Sequence, residues 1–351
     1  MKARAGRTAG RARRLALRIA PLGLLLLLAG CGEGALRQTP GPGTDAVRLA
    51  QGQVIAEDGY RLPLRHWPAE GEPQAIVLGI HGFNEHGGTY QVLAEALVPR
   101  GITLYAHDQR GFGTTAQRRI WPGHQRLAAD VTLLAELLNE RHPEAPLYLV
   151  GHSMGGAVAI LALSDDNPPP VDGSVLIAPA VWGFEAMPWY QRLGLWLGVR
   201  LFPALSFSSS TVQRLGIEPT DDPEMKRRLA EDPLILRRAR VDTLHGVSLA
   251  MDASLEAARR LPAPALILYG TEDQIIPPEA ICALLERLPE KEGIRLAVYP
   301  QGYHMLTRYT KRERTEADIA AWLADPTAPL PSGHERDRRE ARRTLCDQSS
   351  E

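Results

Sequence analysis

The segment 147–163 constrains the fold of this chain more than any other. A short apolar run at 147–150 leads into Gly-His-Ser-Met-Gly-Gly at 151–156, and a helix-like run follows. A serine in a sharp strand-to-helix turn needs neighbours without bulk, because a Cβ two positions away on either side would collide with the turn. Gly151 and Gly155 meet this requirement. The segment therefore predicts a strand, a tight turn that projects the Ser153 hydroxyl, and a helix whose N-terminus favours nearby negative charge.

The pattern on both sides of this segment is that of an α/β protein. Continuous apolar runs, typical of strands buried on both faces of a parallel sheet, alternate with amphipathic helix-like runs. The strand-like runs are 75–80, 102–106, 147–150, 174–178, 265–269 and 294–299. This alternation predicts a mainly parallel, doubly wound sheet. A turn signal, Glu-Asp-Gly at 57–59, predicts a hairpin that precedes the sheet.

The alternation stops between residues 181 and 245, which predicts an inserted helical cap. The first half of this region is rich in Trp and Leu and the second half is highly charged. The apolar half could line an acyl tunnel, contact lipid or form the core of the cap. We expect most of it to be core, because apolar residues at helical spacing usually pack inward. The predicted core domain then comprises 46–180 and 246–325, and the charged tail 326–351 is expected to be disordered.

The first 30 residues have the features of an export signal. Basic residues precede an apolar run at 19–28, which is too short to span a bilayer comfortably. The run ends in Leu-Ala-Gly-Cys at 28–31, which resembles the lipobox of bacterial lipoproteins. The resemblance implies a signal peptide at 1–30, a lipidated Cys31 that holds the protein on a membrane, and a flexible tether at 31–45. We therefore expect a location in the bacterial cell envelope, with Gly32 weakly favouring the outer membrane. The alternative is an ordinary secretory signal and a free Cys31.

Charge and cysteine usage limit the partners of the chain. Residues 1–30 contain seven of the 40 basic residues and none of the 41 acidic ones, so the rest of the chain has a net charge of −8. Such an acidic chain gives no support for nucleic-acid binding. Cys282 and Cys346 could pair, but their spacing indicates neither a disulfide framework nor a zinc site. The sequence predicts no metal and no cofactor, and it does not indicate an oligomeric state.

Two later loops supply what a serine needs to become a nucleophile. Its hydroxyl requires a base within hydrogen-bond reach, and the base requires a carboxylate to orient it. In an α/β sheet both are expected in loops after later strands, in the order serine, acid, histidine. The strand-like run 265–269 is followed by Gly-Thr-Glu-Asp, and the run 294–299 by Pro-Gln-Gly-Tyr-His. These loops predict Asp273, with Glu272 as its rival, and His304.

The oxyanion of an acyl-transfer reaction needs two backbone N–H donors. One is expected from Met154, which follows the serine, and the other from Phe83, in the loop after the strand-like run 75–80. The charged residues Glu85 and Arg110 lie in neighbouring loops. We expect them to brace these loops rather than to contact substrate.

Together these motifs resemble the monoacylglycerol lipase and lysophospholipase group of the α/β-hydrolases. The matching segments are His-Gly-Phe-Asn-Glu-His at 81–86, Asp-Gln-Arg-Gly-Phe-Gly at 108–113, Gly-His-Ser-Met-Gly-Gly at 151–156, Gly-Thr-Glu-Asp at 270–273 and Gly-Tyr-His at 302–304. The resemblance implies an α/β-hydrolase fold with a helical cap, acting on acylglycerol- or lysophospholipid-like carboxylic esters through an acyl-enzyme. It places the nucleophile, acid and base on Ser153, Asp273 and His304, and the oxyanion donors on Phe83 and Met154.

Two other functions remain open from the sequence. The same triad could cleave thioesters or amides or form peracids. The chain could also be a non-catalytic envelope lipoprotein that uses this fold to bind a partner. The serine at position 153 argues against dehalogenases and epoxide hydrolases, which need a carboxylate nucleophile. The cap sets acyl and head-group preference, so the resemblance carries substrates over only as a class.

Overall fold

The computed structural model describes residues 36–43, 47–184, 187–208 and 216–347. The predicted signal peptide, Cys31 and the first residues of the predicted tether lie outside the described residues. The strands are β1 Arg48–Ala50, β2 Gln53–Ile55, β3 Arg61–Trp67, β4 Ala75–Ile80, β5 Ile102–His107, β6 Leu147–His152, β7 Gly173–Ile177, β8 Ser206–Ser208, β9 Arg238–Arg240, β10 Ala265–Gly270, β11 Ile294–Tyr299 and β12 Glu335–Arg336. The helices are α1 Gln91–Leu97, α2 His124–Arg141, α3 Met154–Leu163, α4 Trp189–Leu201, α5 Pro223–Glu231, α6 Val241–Ala257, α7 Pro278–Arg287, α8 Arg312–Ala324 and α9 Arg338–Leu345.

The described residues form a ten-stranded sheet with the order β1-β2-β3-β5-β4-β6-β7-β10-β11-β12. The neighbours from β5 to β11 in this order pair in parallel, and the remaining pairs are antiparallel. The prediction of a mainly parallel sheet is confirmed, with strand ends within two residues of the predicted runs. The predicted hairpin is also present, since β2 and β3 pair around the turn at 57–59.

Side chains from both faces of the sheet are buried, as expected for a doubly wound protein. Along β4, Ile76, Leu78 and Ile80 belong to one apolar cluster, which includes α2, α3 and α7. Ala75 and Val77 point to the other face and join the cluster that includes α1 and α8. This alternation has the two-residue period of a strand. The apolar run of β4 is therefore explained by helices on both sides of it.

The described part of the predicted tether packs against the core domain, although the sequence suggested a flexible spacer. The Gln38 Nε2 group donates to the Ile120 carbonyl at 2.8 Å, and the Thr39 amide donates to the Gln117 side chain at 2.9 Å. A Cβ on Gly41 would lie 2.4 Å from the Asp58 carbonyl oxygen. Gly41 thus lets this segment approach the core closely, and polar partners hold the segment in place.

The C-terminal segment also differs from the expectation of disorder. Strand β12 pairs antiparallel with β11, and α9 begins with a capping box in which Asp337 and Glu340 each accept from the other's backbone N–H. Cys282 on α7 and Cys346 form a disulfide. The apolar side chains that α9 buries are Ala341 and Leu345, four residues apart on one helix face. The dense charge around them concealed this short amphipathic pattern.

The described residues between β7 and α6 form the cap. It contains α4, α5 and the antiparallel pair β8 and β9, and the boundary predicted at 245 falls inside α6. The expectation that its apolar half forms a core is wrong, because α4 has no buried residue. Trp189 is 69% exposed and Trp196 is 49% exposed. Helix α4 rests on α6 with one side only, and its wide apolar stripe faces away. Within the described ranges, no helix has the length and apolarity needed to cross a bilayer.

Candidate active site

Ser153 lies in a strained turn between β6 and α3. Its backbone has φ 54° and ψ −119°, a conformation that residues other than glycine rarely adopt. Such a conformation costs about 1–3 kcal/mol and persists only where the surroundings impose it. Here the Ser153 amide donates to the Ile177 carbonyl at 2.9 Å, and its carbonyl accepts from the Ala180 amide at 3.0 Å. The neighbouring strand β7 and the loop after it therefore hold the serine in this turn.

The glycines of this turn are required by close backbone contacts. A Cβ on Gly151 would lie 2.6 Å from the Gly155 carbonyl oxygen, and one on Gly155 would lie 1.9 Å from the Ile80 carbonyl oxygen. A Cβ on Gly156 would lie 2.9 Å from Pro179. The expectation that bulk would collide with the turn is therefore confirmed.

Asp273 and His304 meet at the carboxyl ends of β10 and β11. Both residues are buried, and His304 Nδ1 lies 2.8 Å from Asp273 Oδ2. The other oxygen of Asp273 accepts the backbone N–H groups of Ile275 at 2.8 Å and Ile276 at 2.9 Å. The carboxylate is thus fixed on both oxygens, and it orients the imidazole. The rival Glu272 is exposed.

The turn of Ser153 lies against the loop of His304 and against the loop of Phe83. His152 Nε2 is 3.2 Å from the His304 carbonyl oxygen, and the two imidazole rings are 4.9 Å apart. A Cβ on Gly82 would lie 3.4 Å from the Ser153 Cβ. The structure therefore brings together the loops of the predicted nucleophile, acid and base. The roles assigned to Ser153, Asp273 and His304 stay predictions.

The two predicted oxyanion donors lie in one small apolar cluster. Met154 is buried in this cluster with Phe112 and Leu236, and the half-buried Phe83 packs against them. The rings of Phe83 and Phe112 are 5.8 Å apart. Met154 also begins α3, where backbone N–H groups have no partner within the helix. This position suits an oxyanion, and the donor roles of Phe83 and Met154 remain predictions.

A buried histidine ties the loop of Phe83 to the loop after β5. The His81 Nε2 atom accepts from the Gln109 amide at 3.0 Å, and Nδ1 lies 2.8 Å from the Gly82 carbonyl oxygen. Burial lowers the pKa of His81 to about 4. The ring is therefore neutral at neutral pH, with its proton on Nδ1. It acts as a structural link and not as a second base.

Arg308, which no sequence motif indicated, is buried next to the site. One guanidinium nitrogen of Arg308 lies 2.7 Å from Glu85 Oε1, and Glu85 Oε2 lies 3.3 Å from His152 Nδ1. Oε2 also accepts the Gly82 amide at 3.0 Å. Burial would raise the pKa of Glu85, but the charge of Arg308 and the hydrogen bond with His152 hold it well below its usual range. Glu85 thus braces the site loops, as expected, and Arg308 is its unforeseen partner.

Arg110, the other residue expected to brace a loop, is also buried. Its guanidinium binds Asp130 at 2.7 Å and Asp58 at 2.6 Å, and it lies 4.2 Å from the centre of the Tyr60 ring. These bonds join the loop after β5 to α2 and to the hairpin of β2 and β3. Arg110 therefore braces the loop after β5, as its position in the sequence predicted.

The cap contacts the site loops from two sides. The backbone carbonyl of Asn84, which follows Phe83, accepts a hydrogen bond from the Leu236 amide at 2.9 Å. In addition, His86 Nε2 lies 2.8 Å from Asp232 Oδ2. On the other side, the Met305 amide donates to the Pro219 carbonyl at 2.9 Å. The cap is thus joined to the loops of Phe83 and His304. Among the described residues, no group of three or more His, Cys, Asp or Glu is placed to hold a metal ion.

The mainly parallel sheet, with its covering cap and a serine in a strained turn at the carboxyl edge, is that of an α/β-hydrolase. Residues 71–310 match the model of the Hydrolase_4 family, described as serine aminopeptidase, S33. Because the match spans more than half of the chain, the chain belongs to this family.

The chain is similar to monoglyceride and monoacylglycerol lipases of other organisms. The chain is 30% identical over 291 residues to the monoglyceride lipase of Mus musculus, covering 80% of this chain and 92% of that protein. It is 28% identical over 287 residues to the monoglyceride lipase of Homo sapiens, covering 78% and 90%. The crystal structure of a monoacylglycerol lipase from Paleococcus ferrophilus is similar, with a TM-score of 0.63, 26% identity, and coverage of 76% of this chain and 99% of that one. The chain is a serine hydrolase of carboxylic esters, and the predictions of fold and enzyme class are confirmed.

Proposed function

We propose that this protein hydrolyses monoacylglycerols, with Ser153, Asp273 and His304 as its catalytic triad. The observation that carries the proposal is the buried contact of 2.8 Å between His304 and Asp273, beside the strained turn of Ser153. The similarity to monoglyceride lipases over most of the chain supports the substrate class.

Each step of the proposed reaction uses a named group. The Ser153 hydroxyl attacks the ester carbonyl as His304 Nε2 takes its proton, and Asp273 stabilises the imidazolium that forms. The Phe83 and Met154 amides donate to the oxyanion. As the tetrahedral intermediate collapses, His304 returns the proton to the departing glycerol oxygen. Water, deprotonated by His304, then attacks the acyl-enzyme, and the fatty acid leaves as Ser153 regains its proton.

The proposal includes a location in the bacterial cell envelope, with Cys31 as the lipid anchor. The support comes from the Leu-Ala-Gly-Cys segment at 28–31. The disulfide between Cys282 and Cys346 adds an independent argument, because disulfides persist mainly in oxidising compartments outside the cytosol. The choice of the outer membrane rests on Gly32 alone.

A rate series tests the proposed substrate class. Initial rates are measured on monoacylglycerols of increasing chain length, on lysophospholipids, and on matched acyl thioesters and amides, with Ser153→Ala as the control. We expect monoacylglycerols to give the highest kcat/KM and the Ser153→Ala variant to be inactive. A folded protein that leaves every ester intact, or prefers the thioester or the amide, would contradict the proposal.

A further inference from the structure

A buried tyrosine outside the proposed triad lies on the strand that leads into the loop of Phe83. Tyr90 ends a short 3₁₀ turn, Gly87–Tyr90, which follows that loop in the chain. Its side chain is buried, and a Cβ on Gly79 would lie 2.8 Å from its ring. A glycine within a strand often marks a close approach of another group. Gly79 is the one glycine of β4, and it lets the ring of Tyr90 lie directly on this strand.

The hydroxyl group of Tyr90 joins two neighbouring strands. Its oxygen accepts the Ile80 amide at 3.1 Å, and it lies 3.0 Å from the Ile80 carbonyl oxygen and 2.6 Å from the Val150 carbonyl oxygen. A hydroxyl has one proton to donate, so it donates to the nearer carbonyl, that of Val150. Ile80 is the last residue of β4, and Val150 lies in β6. One side chain thus cross-links the strand before the predicted oxyanion loop and the strand before the predicted nucleophile.

Both of the linked residues are close to the proposed reacting groups. Phe83 follows Ile80 by three positions. Ser153 follows Val150 by the same interval. The pairing of β4 with β5 ends one residue before Ile80. The hydroxyl of Tyr90 therefore acts where β4 has lost the support of β5 and the chain turns into the site.

The position of this tyrosine is fixed from the side of β5. The Gly87 amide, at the start of the 3₁₀ turn, donates to Asp108 Oδ1 at 2.9 Å, and a Cβ on Gly87 would lie 2.7 Å from the Ala106 carbonyl oxygen. The turn is thus held against the end of β5. Burial raises the pKa of Tyr90, so its hydroxyl keeps its proton and does not serve as a base in the reaction.

We propose that Tyr90 is a positioning residue, whose hydroxyl sets the distance between the Phe83 amide and Ser153. An oxyanion donor must lie about 2.7–3.1 Å from the oxyanion, and a misplacement of 1 Å can cost about 100-fold in rate. Without the hydroxyl, the Ile80 amide and the Val150 carbonyl lose their shared partner, and the two strand ends can separate. This inference rests on the proposed roles of Ser153 and Phe83.

The Tyr90→Phe variant tests this role, because it removes the hydroxyl and keeps the ring. Rates are measured on a soluble p-nitrophenyl ester, and active sites are counted by complete titration with a fluorophosphonate. We expect kcat per active site to fall by about 10- to 100-fold, with KM changed by less than about twofold. The Ki of a trifluoromethyl ketone, whose tetrahedral adduct places an oxyanion in the site, should rise by the factor by which kcat/KM falls.

The Tyr105→Phe variant is the matched control. Tyr105 is also buried, and its hydroxyl lies 3.0 Å from Nε2 of His142, which precedes β6 in the chain and lies toward the amino end of that strand. Each variant loses one hydrogen bond of a tyrosine hydroxyl, so both should unfold at a lower temperature than the wild type. Only Tyr90→Phe should change kcat and Ki, and a purely structural role would not separate the two variants in this way.

The inference is overturned if Tyr90→Phe keeps the kcat and Ki of the wild type, or if Tyr105→Phe loses as much activity. If Tyr90→Phe does not fold, Gly79→Ala decides, because its Cβ would displace the ring together with the hydroxyl. Gly79→Ala should also lower kcat and raise Ki, and unchanged values would overturn the inference. Failure of the proposed function appears separately, as wild-type protein that leaves monoacylglycerols intact or as Ser153→Ala protein that still cleaves esters.

Discussion

Glu85 and Arg308 form a buried ion pair that joins the loop after β4 to the loop after β11. The Glu85 Oε1 atom and a guanidinium nitrogen of Arg308 are 2.7 Å apart, and each side chain is almost completely buried. The pair connects the predicted oxyanion loop with the loop of His304. Its charges depend on each other, because a buried carboxylate is stable only with a cation beside it.

Removal of one member of this pair should destabilise the protein more than removal of both. We expect Arg308→Met to lower the free energy of unfolding by about 3–5 kcal/mol, because it leaves a buried carboxylate without its partner. The Glu85→Gln/Arg308→Met variant should recover part of this loss. Urea unfolding provides the measurement. Arg259→Met serves as the control, since Arg259 and Glu256 form an exposed pair at 2.7 Å, whose loss should cost less than about 1 kcal/mol. Equal losses in the buried and exposed pairs would contradict this account.

The Asp273→Asn variant tests the role of the carboxylate. The amide keeps the size of the side chain but favours the wrong tautomer of His304, and in related triads this change lowers kcat by about 10,000-fold. We expect a loss of that order in ester hydrolysis, with the thermal unfolding temperature nearly unchanged. The Glu272→Gln variant is the matched control, since its side chain is exposed and should leave the rate unaltered. If Glu272→Gln were the damaging substitution, the acid would have been assigned wrongly.

The disulfide should contribute measurably to stability. It joins residues 64 positions apart in the chain, and closing a loop of that length in the unfolded state is worth roughly 2–4 kcal/mol. The Cys282→Ala/Cys346→Ala variant should therefore unfold at lower urea concentration than the oxidised wild type. Reducing agent should lower the stability of the wild type and leave the variant unchanged. Identical unfolding curves for wild type and variant would show that α9 needs no covalent link.

Glu316 on α8 predicts a pH-dependent change in stability. Burial raises the pKa of Glu316 to about 7, and the Arg312 guanidinium, 3.4 Å from Oε1, offsets this only in part. The folded protein therefore keeps a proton that the unfolded chain loses near its ordinary pKa of 4.5. This contribution to stability falls as the pH rises from the unfolded value through about 7.

Replacement by a neutral amide should remove this penalty. We expect Glu316→Gln to gain about 1–3 kcal/mol of stability relative to the wild type between pH 5 and pH 8, since each unit of pKa shift is worth about 1.4 kcal/mol and the site is partly open to solvent. Thermal unfolding at the two values measures the difference. A stabilisation that is the same at both pH values would mean that the effect arises from packing and not from the proton.

The sheet and the serine turn could be predicted because local sequence determines them. The apolar run of β4 has no polar interruption, which requires burial on both faces, and Gly151 and Gly155 leave few alternatives to a tight turn. Asp273 and His304 were predicted from their place after two such strands. These features depend on patterns within a few residues, which the sequence displays directly.

The features that were missed depend on contacts between distant segments. Arg308 lies in a loop with no pattern of its own, and its meaning comes from Glu85, more than 200 positions earlier in the chain. In α9 the two apolar contacts are hidden among arginines. The exposed face of α4 has the same helical spacing as a core helix. Spacing alone does not reveal whether another layer covers an apolar stripe, so the sequence could not distinguish core from surface there.

The most direct test of the proposed triad is the reaction with a fluorophosphonate, followed by mass spectrometry of the labelled peptides. A serine that His304 and Asp273 activate should be phosphonylated, whereas serines without a base should not react. We expect one modified residue, Ser153, and no labelling of folded Ser153→Ala protein. Folded wild-type protein that stays unlabelled, or is labelled at another serine, would contradict the central claim.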